Sequence, residues 1–241
     1  VLLAADNSTL TVTMSEAVYN TNGGSGSLEV SDFALSISGG VASINGTPSA
    51  ISSDGNEYTL RLTISGTPNG SETLTVVPSS SSAIYDLAGN VASTTQSNNT
   101  VSLNDTSPPT LSNVSIVSNN TTNTLAKAGD EITLTFTASE TINEPVVTFQ
   151  SGSSSITDSS VTYTNTSGNT WTAKYTSNAS DTDGSVSFSI AFTDGSNAGT
   201  DVTTGSGSVI FDNTLPTVVS FTTSTSSGSY NQAEEIVITA N

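Results

Sequence analysis

The feature that most limits how this chain folds is an internal repeat of roughly a hundred residues. The segment DTSPPTL at Asp105–Leu111 returns as DNTLPTV at Asp212–Val218, 107 residues later. The segment EITLTFTA at Glu131–Ala138 returns as EIVITAN at Glu235–Asn241, 104 residues later. Because a parallel β-helix repeats over a much shorter length, this spacing predicts tandem globular modules.

The repeat divides the chain into two modules and the truncated start of a third, with predicted bounds at 1–104, 105–211 and 212–241. The first module shares the plan, since LTVTMSEAV at Leu10–Val18 matches LTFTASETI at Leu134–Ile142. Prolines near both boundaries fix an extended backbone and remove a hydrogen-bond donor, as expected of short, stiff linkers. The strand-like run that ends at Asn241 predicts that the chain is a segment of a longer protein.

The modules are predicted to be all-β, as tandem immunoglobulin-like β-sandwiches of about seven antiparallel strands each. In SVSFSIAF, strict alternation places Val186, Phe188, Ile190 and Phe192 on the core face. Alternation also places Trp171 with Ala173 and Tyr175, and this face is predicted to be core rather than an exposed platform for sugars. The predicted strands of the second module are 110–118, 131–139, 145–152, 160–165, 170–177, 185–194 and 206–212; those of the first are 9–15, 33–38, 58–65, 72–77 and 100–103.

The charge balance excludes several classes of function. Acidic residues number 21 against 3 basic ones, and the net charge is −18. Nucleic acid is therefore not an expected partner, because few cations are available to neutralise phosphates. No apolar run approaches the ~20 residues needed to span a bilayer as a helix. The chain has no histidine and no cysteine, which removes the usual general base and thiolate chemistry, so the sequence predicts a protein that is not an enzyme.

Several motifs carry a resemblance to a known family. MSEAV, SDFALSISGG, NGSETLTVVP, YDLAGN and NDTSPPT resemble the bacterial Ig-like repeats of very large adhesins and other secreted cell-surface proteins. DGSVSFSIAFTDGSNAG followed by FDNTLPTV is similar to the tandem version of the same repeats. The resemblance implies an extracellular location at the bacterial cell surface. The second module departs from the family pattern Asp-x-x-Gly-Asn, because it has Asp194-Gly-Ser-Asn-Ala-Gly at that place.

The carboxylates indicate a calcium site at the ends of the modules. Calcium prefers six to eight oxygen ligands from carboxylates, amides and backbone carbonyls. In an Ig-like module, the start of the first strand and the loops after the second and sixth strands lie at one end. That topology predicts three groups of metal ligands: Asp105, Glu140, Asp194 and Asp201 in the second module; Glu16, Asp86 and Asn90 in the first; Asp183 and Asp212 at the far end of the second. The alternative is that these residues only form turns, for which Asp and Asn are common choices.

Three functions are consistent with these features. The first is a structural stalk or spacer in an adhesin, with calcium stiffening the junctions between neighbouring modules of the same chain. The second is a repeat of a self-assembling filament, sheath or surface layer, in which identical chains are the partners. The third is a module that binds a glycan or another cell. For the stalk, the expected ligand is a cell-surface glycan or protein at a distant tip.

Overall fold

A computed structural model describes residues 1–157 and 160–240 of the chain. Besides strands, these residues form one short 3-10 helix, Val30–Asp32, and no described helix is long and apolar enough to cross a membrane. The chain divides into two compact units. Unit 1 comprises Val1–Thr110, Glu140–Pro145 and Ala191–Thr200, and unit 2 comprises Leu111–Ser139, Val146–Ile190 and Asp201–Asn241.

Nine strands build unit 1. They are β1 Leu2–Leu3, β2 Thr9–Thr13, β3 Phe33–Ser38, β4 Ser43–Ile44, β5 Ala50–Asp54, β6 Glu57–Arg61, β7 Ile64–Ser65, β8 Thr73–Pro78 and β9 Thr100–Ser102. One sheet has the order β1-β2-β6-β5 and the other β3-β8-β9, with β4 and β7 as a separate pair. These orders are the A-B-E-D and C-F-G sheets of an immunoglobulin constant-type sandwich.

The core of unit 1 lies between these two sheets. Leu10 and Leu60 from one sheet and Leu74 from the other have no exposed surface. The predicted strand 58–65 is divided, because β6 ends at Arg61 and β7 pairs with β4 instead. The sequence did not predict β5, because four of its five residues are exposed and show no apolar alternation.

Nine further strands build the sandwich of unit 2. They are β10 Leu111–Ser118, β11 Leu125–Ala126, β12 Glu131–Ala138, β13 Val146–Ser151, β14 Ser154–Ser155, β15 Thr162–Ser167, β16 Thr170–Thr176, β17 Gly184–Ala191 and β18 Ile210–Phe211. The sheet orders are β10-β12-β16-β15 and β11-β18-β17-β13-β14. The first order is again A-B-E-D, and the second contains C, F and G as neighbours with a short strand added at each edge.

Alternation places the core side chains of unit 2 as predicted. Val186, Phe188 and Ile190 of β17 are buried, and Phe192 follows them. Trp171, Ala173 and Tyr175 of β16 are also buried, with Trp171 only 9% exposed. Trp171 is therefore part of the core and offers no aromatic platform to a sugar. The prediction of an all-β chain of Ig-like sandwiches is confirmed.

The last segment of the chain forms an antiparallel pair, β19 Phe221–Thr223 and β20 Ile238–Ala240. Thr222 lies opposite Thr239, as Ser115 lies opposite Thr135 in β10 and β12. The pair thus repeats the register of the first two long strands of the second module. Large apolar side chains are exposed along this segment, among them Leu215 at 81% and Val219 at 86%.

A buried carboxylate closes the turn before the F strand in both sandwiches. In unit 1, Glu72 accepts hydrogen bonds from the backbone N–H of Val41 at 2.9 Å, Ala42 at 3.0 Å and Asn69 at 3.0 Å. In unit 2, Asp181 accepts from the N–H of Thr157 at 2.7 Å and Asn178 at 2.8 Å. The signal in the sequence is a repeated Asn-x-Ser-acid motif, NGSE at 69–72 and NASD at 178–181.

These backbone donors keep Glu72 ionised. Burial of Glu72 opposes its ionisation, but the N–H groups of Ala42, Val41 and Asn69 outweigh burial and lower its pKa. Gly40 leaves room for the carboxylate, since a Cβ built there would lie 2.2 Å from the Glu72 side chain. Because the folded-state pKa is lowered, the stabilisation is present above the ordinary value of 4.5 and is lost as the pH falls through the folded-state pKa.

We expect Glu72→Gln to lower the free energy of unfolding by about 2–3 kcal/mol at pH 7, because one buried amide N–H₂ would face backbone donors. Urea unfolding at pH 7 and at pH 3 measures this loss. The difference from the wild type should shrink at pH 3, because below 4.5 the carboxyl is protonated in the unfolded chain and the stabilisation declines toward the folded-state pKa. The exposed Glu57→Gln is the control and should change little; an equal loss in both variants would contradict this role of Glu72.

Candidate metal centre

Three carboxylates from distant parts of the sequence meet in unit 1. Asp105 lies just before Pro108-Pro109, Glu140 follows β12, and Asp194 follows β17. Each offers one oxygen, and these oxygens all lie within 4.8 Å of one another. All three residues are partly buried. The structure thus brings together Asp105, Glu140 and Asp194, three of the four ligands predicted for the second module.

The loop that carries Asp194 is held by its own side chains. Asp194 accepts hydrogen bonds from the N–H of Ser196 at 2.6 Å and Asn197 at 2.7 Å. The Asn197 amide donates to the second Asp194 oxygen at 3.2 Å and to the backbone carbonyl of Asp105 at 3.3 Å. The backbone of Asn143 donates to Thr193, which ties the Glu140 loop to the same turn. These contacts hold the Asp194 carboxylate and connect its loop to the backbone of Asp105 and to the loop that follows Glu140.

Asn197 is a residue that the sequence analysis did not select. The first module has its asparagine four residues after the aspartate, and Asn90 donates to Asp86 from its N–H at 2.8 Å and its side chain at 2.7 Å. In the second module, Asn197 makes the same contacts from three residues after Asp194. The turn of the second module is therefore one residue shorter than that of the first and keeps the same hydrogen bonds. The sequence feature that could have identified Asn197 is the asparagine in Asp194-Gly-Ser-Asn197.

Ionisation is least favourable at Glu140 because of its burial and its acidic neighbours. Partial burial raises the pKa of Glu140, and the neighbouring charges of Asp105 and Asp194 raise it further. By contrast, burial of Asp194 opposes ionisation, but the N–H groups of Asn197 and Ser196 outweigh burial and lower its pKa. One carboxyl of the cluster thus favours a proton at a pH where another is firmly ionised.

This ligand set fits calcium. Calcium binds carboxylate oxygens at about 2.4 Å, so two oxygens on one ion lie at most about 4.8 Å apart, which is the limit that the three carboxylates satisfy. Three carboxylates together offer up to six oxygens, and the set lacks the nitrogen and sulfur ligands that zinc and copper prefer. A divalent cation would also replace the proton that Glu140 favours.

The predicted ligands of the first module lie on one groove. Glu16, Asp86 and Asn90 line a groove of about 570 Å³ in unit 1, together with apolar residues such as Phe33 and Val76. Asp86 is already bonded to Asn90, and these bonds lower its pKa. Among the described residues, no third acidic side chain joins Glu16 and Asp86 within ligand distance.

The remaining predicted ligands are placed differently. Asp201 is exposed and does not join the cluster, because the next residue, Val202, pairs with Ile190. Asp183 accepts from the Asn213 N–H at 2.8 Å and from the Thr214 hydroxyl, while Asp212 accepts from the Thr214 N–H at 2.9 Å. The two carboxylates at this end therefore meet protein donors and form no cluster of three acidic groups within the described chain.

Comparisons with known proteins add little to this picture. No protein family matches the chain, and no curated protein matches it. Two solved structures of tandem titin domains align with it, a chimeric titin Z1Z2 functionalised with a KLER exogenous peptide from decorin and titin Z1Z2 in complex with telethonin. Each is 14% identical over 87% of this chain and 98% of that chain, with TM-scores of 0.27 and 0.26. TM-scores this low support no conclusion about this chain. Its Ig-like fold is identified from the strand orders of its sheets.

We expect Glu140→Gln to have opposite effects with and without calcium. Without calcium at pH 7, removing this charge should raise the melting temperature by about 2–4 °C, because the repulsion and burial cost disappear. Since the folded-state pKa of Glu140 is raised above 4.5, ionisation of this carboxyl destabilises the fold as the pH rises. Below 4.5 the carboxyl is protonated in the unfolded and the folded chain, so the stability gained by the variant should vanish near pH 4. With calcium in excess, the variant should be less stabilised than the wild type, because it lacks one ligand.

Thermal unfolding in chelator and in calcium measures both effects. Glu144→Gln is the matched control, since Glu144 lies exposed in the same loop. A variant that gains no stability in chelator, or that responds to calcium as fully as Glu144→Gln, would contradict the proposed cluster.

Proposed function

We propose that this chain is a non-enzymatic structural repeat segment of a large extracellular bacterial surface protein. In this proposal it serves as an adhesin stalk or spacer, and calcium bound by Asp105, Glu140 and Asp194 stiffens it. The observation that carries the proposal is the convergence of these three carboxylates within 4.8 Å. The extracellular setting rests on the motifs that resemble bacterial Ig-like repeats.

The composition supports a mechanical role. The chain has no histidine and no cysteine, so a nucleophilic or general-base mechanism would need other groups. Glu140, whose pKa is raised, faces two other carboxylates rather than a nucleophile. Such an arrangement suits a cation ligand better than an acid catalyst.

Calcium would act on the segment that follows the first module. Asp105 lies in the stretch Asp105-Thr106-Ser107-Pro108-Pro109, whose prolines already restrict the backbone. The Thr106 N–H donates to the Pro68 carbonyl at 3.0 Å, and the Asp105 side chain accepts from the Ser107 N–H at 2.8 Å. A cation bound to Asp105 and to the two loops would connect the start of this segment to the loops that carry Glu140 and Asp194. Extracellular modules bind calcium at about 0.1–1 mM, a range that suits such a role.

We expect calcium removal to leave each sandwich folded while the chain becomes more flexible. Small-angle scattering of the same sample in calcium and in chelator should show a change in the radius of gyration and in the maximum dimension. Circular dichroism should show the same strand content in both conditions, because neither core contains a ligand of the cluster.

A triple variant, Asp105→Asn with Glu140→Gln and Asp194→Asn, should have dimensions that no longer respond to calcium. Asp201→Asn is the control, since Asp201 was predicted as a ligand and lies outside the cluster. Wild-type dimensions that are the same with calcium and with chelator would contradict the stiffening role.

A further inference from the structure

Strand β15 leaves an unusual edge on the sandwich of unit 2. It lies at the end of the sheet β10-β12-β16-β15 and, among the strands that the structure describes, pairs with β16 alone. Five of its six residues, in the sequence TYTNTS, are exposed. Its position is fixed, because the Tyr163 hydroxyl accepts a hydrogen bond from the Val147 N–H at 2.9 Å in the other sheet. The strand therefore presents a preformed row of backbone donors and acceptors.

This edge lacks the charges and prolines with which proteins often protect exposed strands. Edge strands are usually protected by charged side chains, proline, bulges or short length. From Ser160 to Asn169, the chain carries no charged residue and no proline. The pairing with β16 is regular over Thr162–Asn165, and a register shift follows only at the end of the strand. Thr and Tyr are also residues that favour strands.

The corresponding strand of unit 1 is protected. Strand β5 holds the same place at the end of the sheet β1-β2-β6-β5. Pro48 lies two residues before it, and its last residue, Asp54, lies opposite Glu57. The chain thus contains two edges of the same topology, of which only β5 is charged.

Apart from β5 and from β3, whose Leu35 N–H donates to the Gly46 carbonyl at 2.8 Å, the other edges of the described sheets are short or covered. Strands β1, β14 and β9 have two, two and three residues. Strand β10 is long, but its free side bonds to the segment before β18, through Ile116 N–H to the Ser206 carbonyl at 3.0 Å and Ser206 N–H to the Val114 carbonyl at 2.8 Å. Among the described strands of unit 2, β15 is therefore the long edge open to pairing.

We propose that β15 pairs with β15 of a second copy of this chain, in antiparallel orientation about a two-fold axis. Such an interface is self-complementary, because the same patch serves both copies. It would join two four-stranded sheets into one of eight strands, with Thr164 facing Thr164 of the second copy and Thr162 facing Thr166 across the new ladder. We favour a second copy as the partner, because two chains of net charge −18 repel each other least where the contacting edges carry no charge.

The charge of the chain predicts how this association depends on salt. Two copies repel over most of their surfaces, and salt screens this repulsion within about 10 Å at 0.1 M. Pairing through β15 should therefore strengthen as salt rises, whereas pairing between opposite charges would weaken. Four regular residues make a small interface, so we expect a dissociation constant on the order of 100 µM. Several such repeats on one surface would strengthen the association between chains through multivalency.

Sedimentation equilibrium of the whole chain, in chelator at 0.05 M and 0.5 M NaCl, tests the proposal; these salt levels bracket the screening range. The wild type should dimerise, and more strongly at the higher salt. Thr164→Lys should weaken dimerisation at least about tenfold, because the new charge meets its own copy across the axis. Ser52→Lys, in the middle of β5 and also exposed, is the matched control and should dimerise as the wild type does.

A thermal melt of Thr164→Lys that matches the wild type separates loss of pairing from loss of folding. A wild type that remains monomeric up to about 2 mM, twenty times the expected constant, would overturn the proposal. An equal loss in Ser52→Lys, or dimerisation that weakens as salt rises, would also overturn it. Because the measurement is made in chelator, its outcome is independent of the proposed calcium cluster.

Discussion

The packing of two sheets against each other is the interaction on which the rest of this structure depends. Each sandwich has a single narrow core built from alternating side chains, such as Leu10, Leu60 and Leu74 in unit 1. With only 33% hydrophobic residues in the chain, the core cannot be made larger. It nevertheless fixes where each strand ends, and the strand ends determine which loop residues meet. The convergence of Asp105, Glu140 and Asp194 is therefore a consequence of core packing.

The acidic residues divide into two groups by what they contact. Glu72 and Asp181 are buried, yet they accept two or three backbone N–H bonds each and close turns. Glu140 instead faces other carboxylates, and its pKa is raised by burial and by their charges. Carboxylates of the first group are satisfied by the fold itself. Within the cluster, Asp194 also has backbone donors, whereas Glu140 faces charges of its own sign. A cation would neutralise that repulsion, which is why function is proposed there.

The sequence predicted the parts of the fold that are patterned by burial. β12, β16 and β17 alternate between buried and less buried residues along their length, and their predicted bounds were close to those observed. β5, β11 and β14 are short or exposed and have no such alternation, so only tertiary pairing defines them. The convergence of Asp105, Glu140 and Asp194 followed from topology. The separate position of Asp201 did not, because it depends on the pairing of Val202 with Ile190.

Calorimetric titration of the whole chain with calcium at pH 5 tests the central claim most directly, because it reports binding and proton release together. Because the pKa of Glu140 is raised, this carboxyl keeps its proton at pH 5 to a greater extent than an ordinary glutamate, so calcium should release a proton on binding. The binding heat should therefore change with the ionisation enthalpy of the buffer, and Asp194→Asn should remove the binding. Absence of calcium binding, or binding that Asp194→Asn leaves unchanged, would contradict the account.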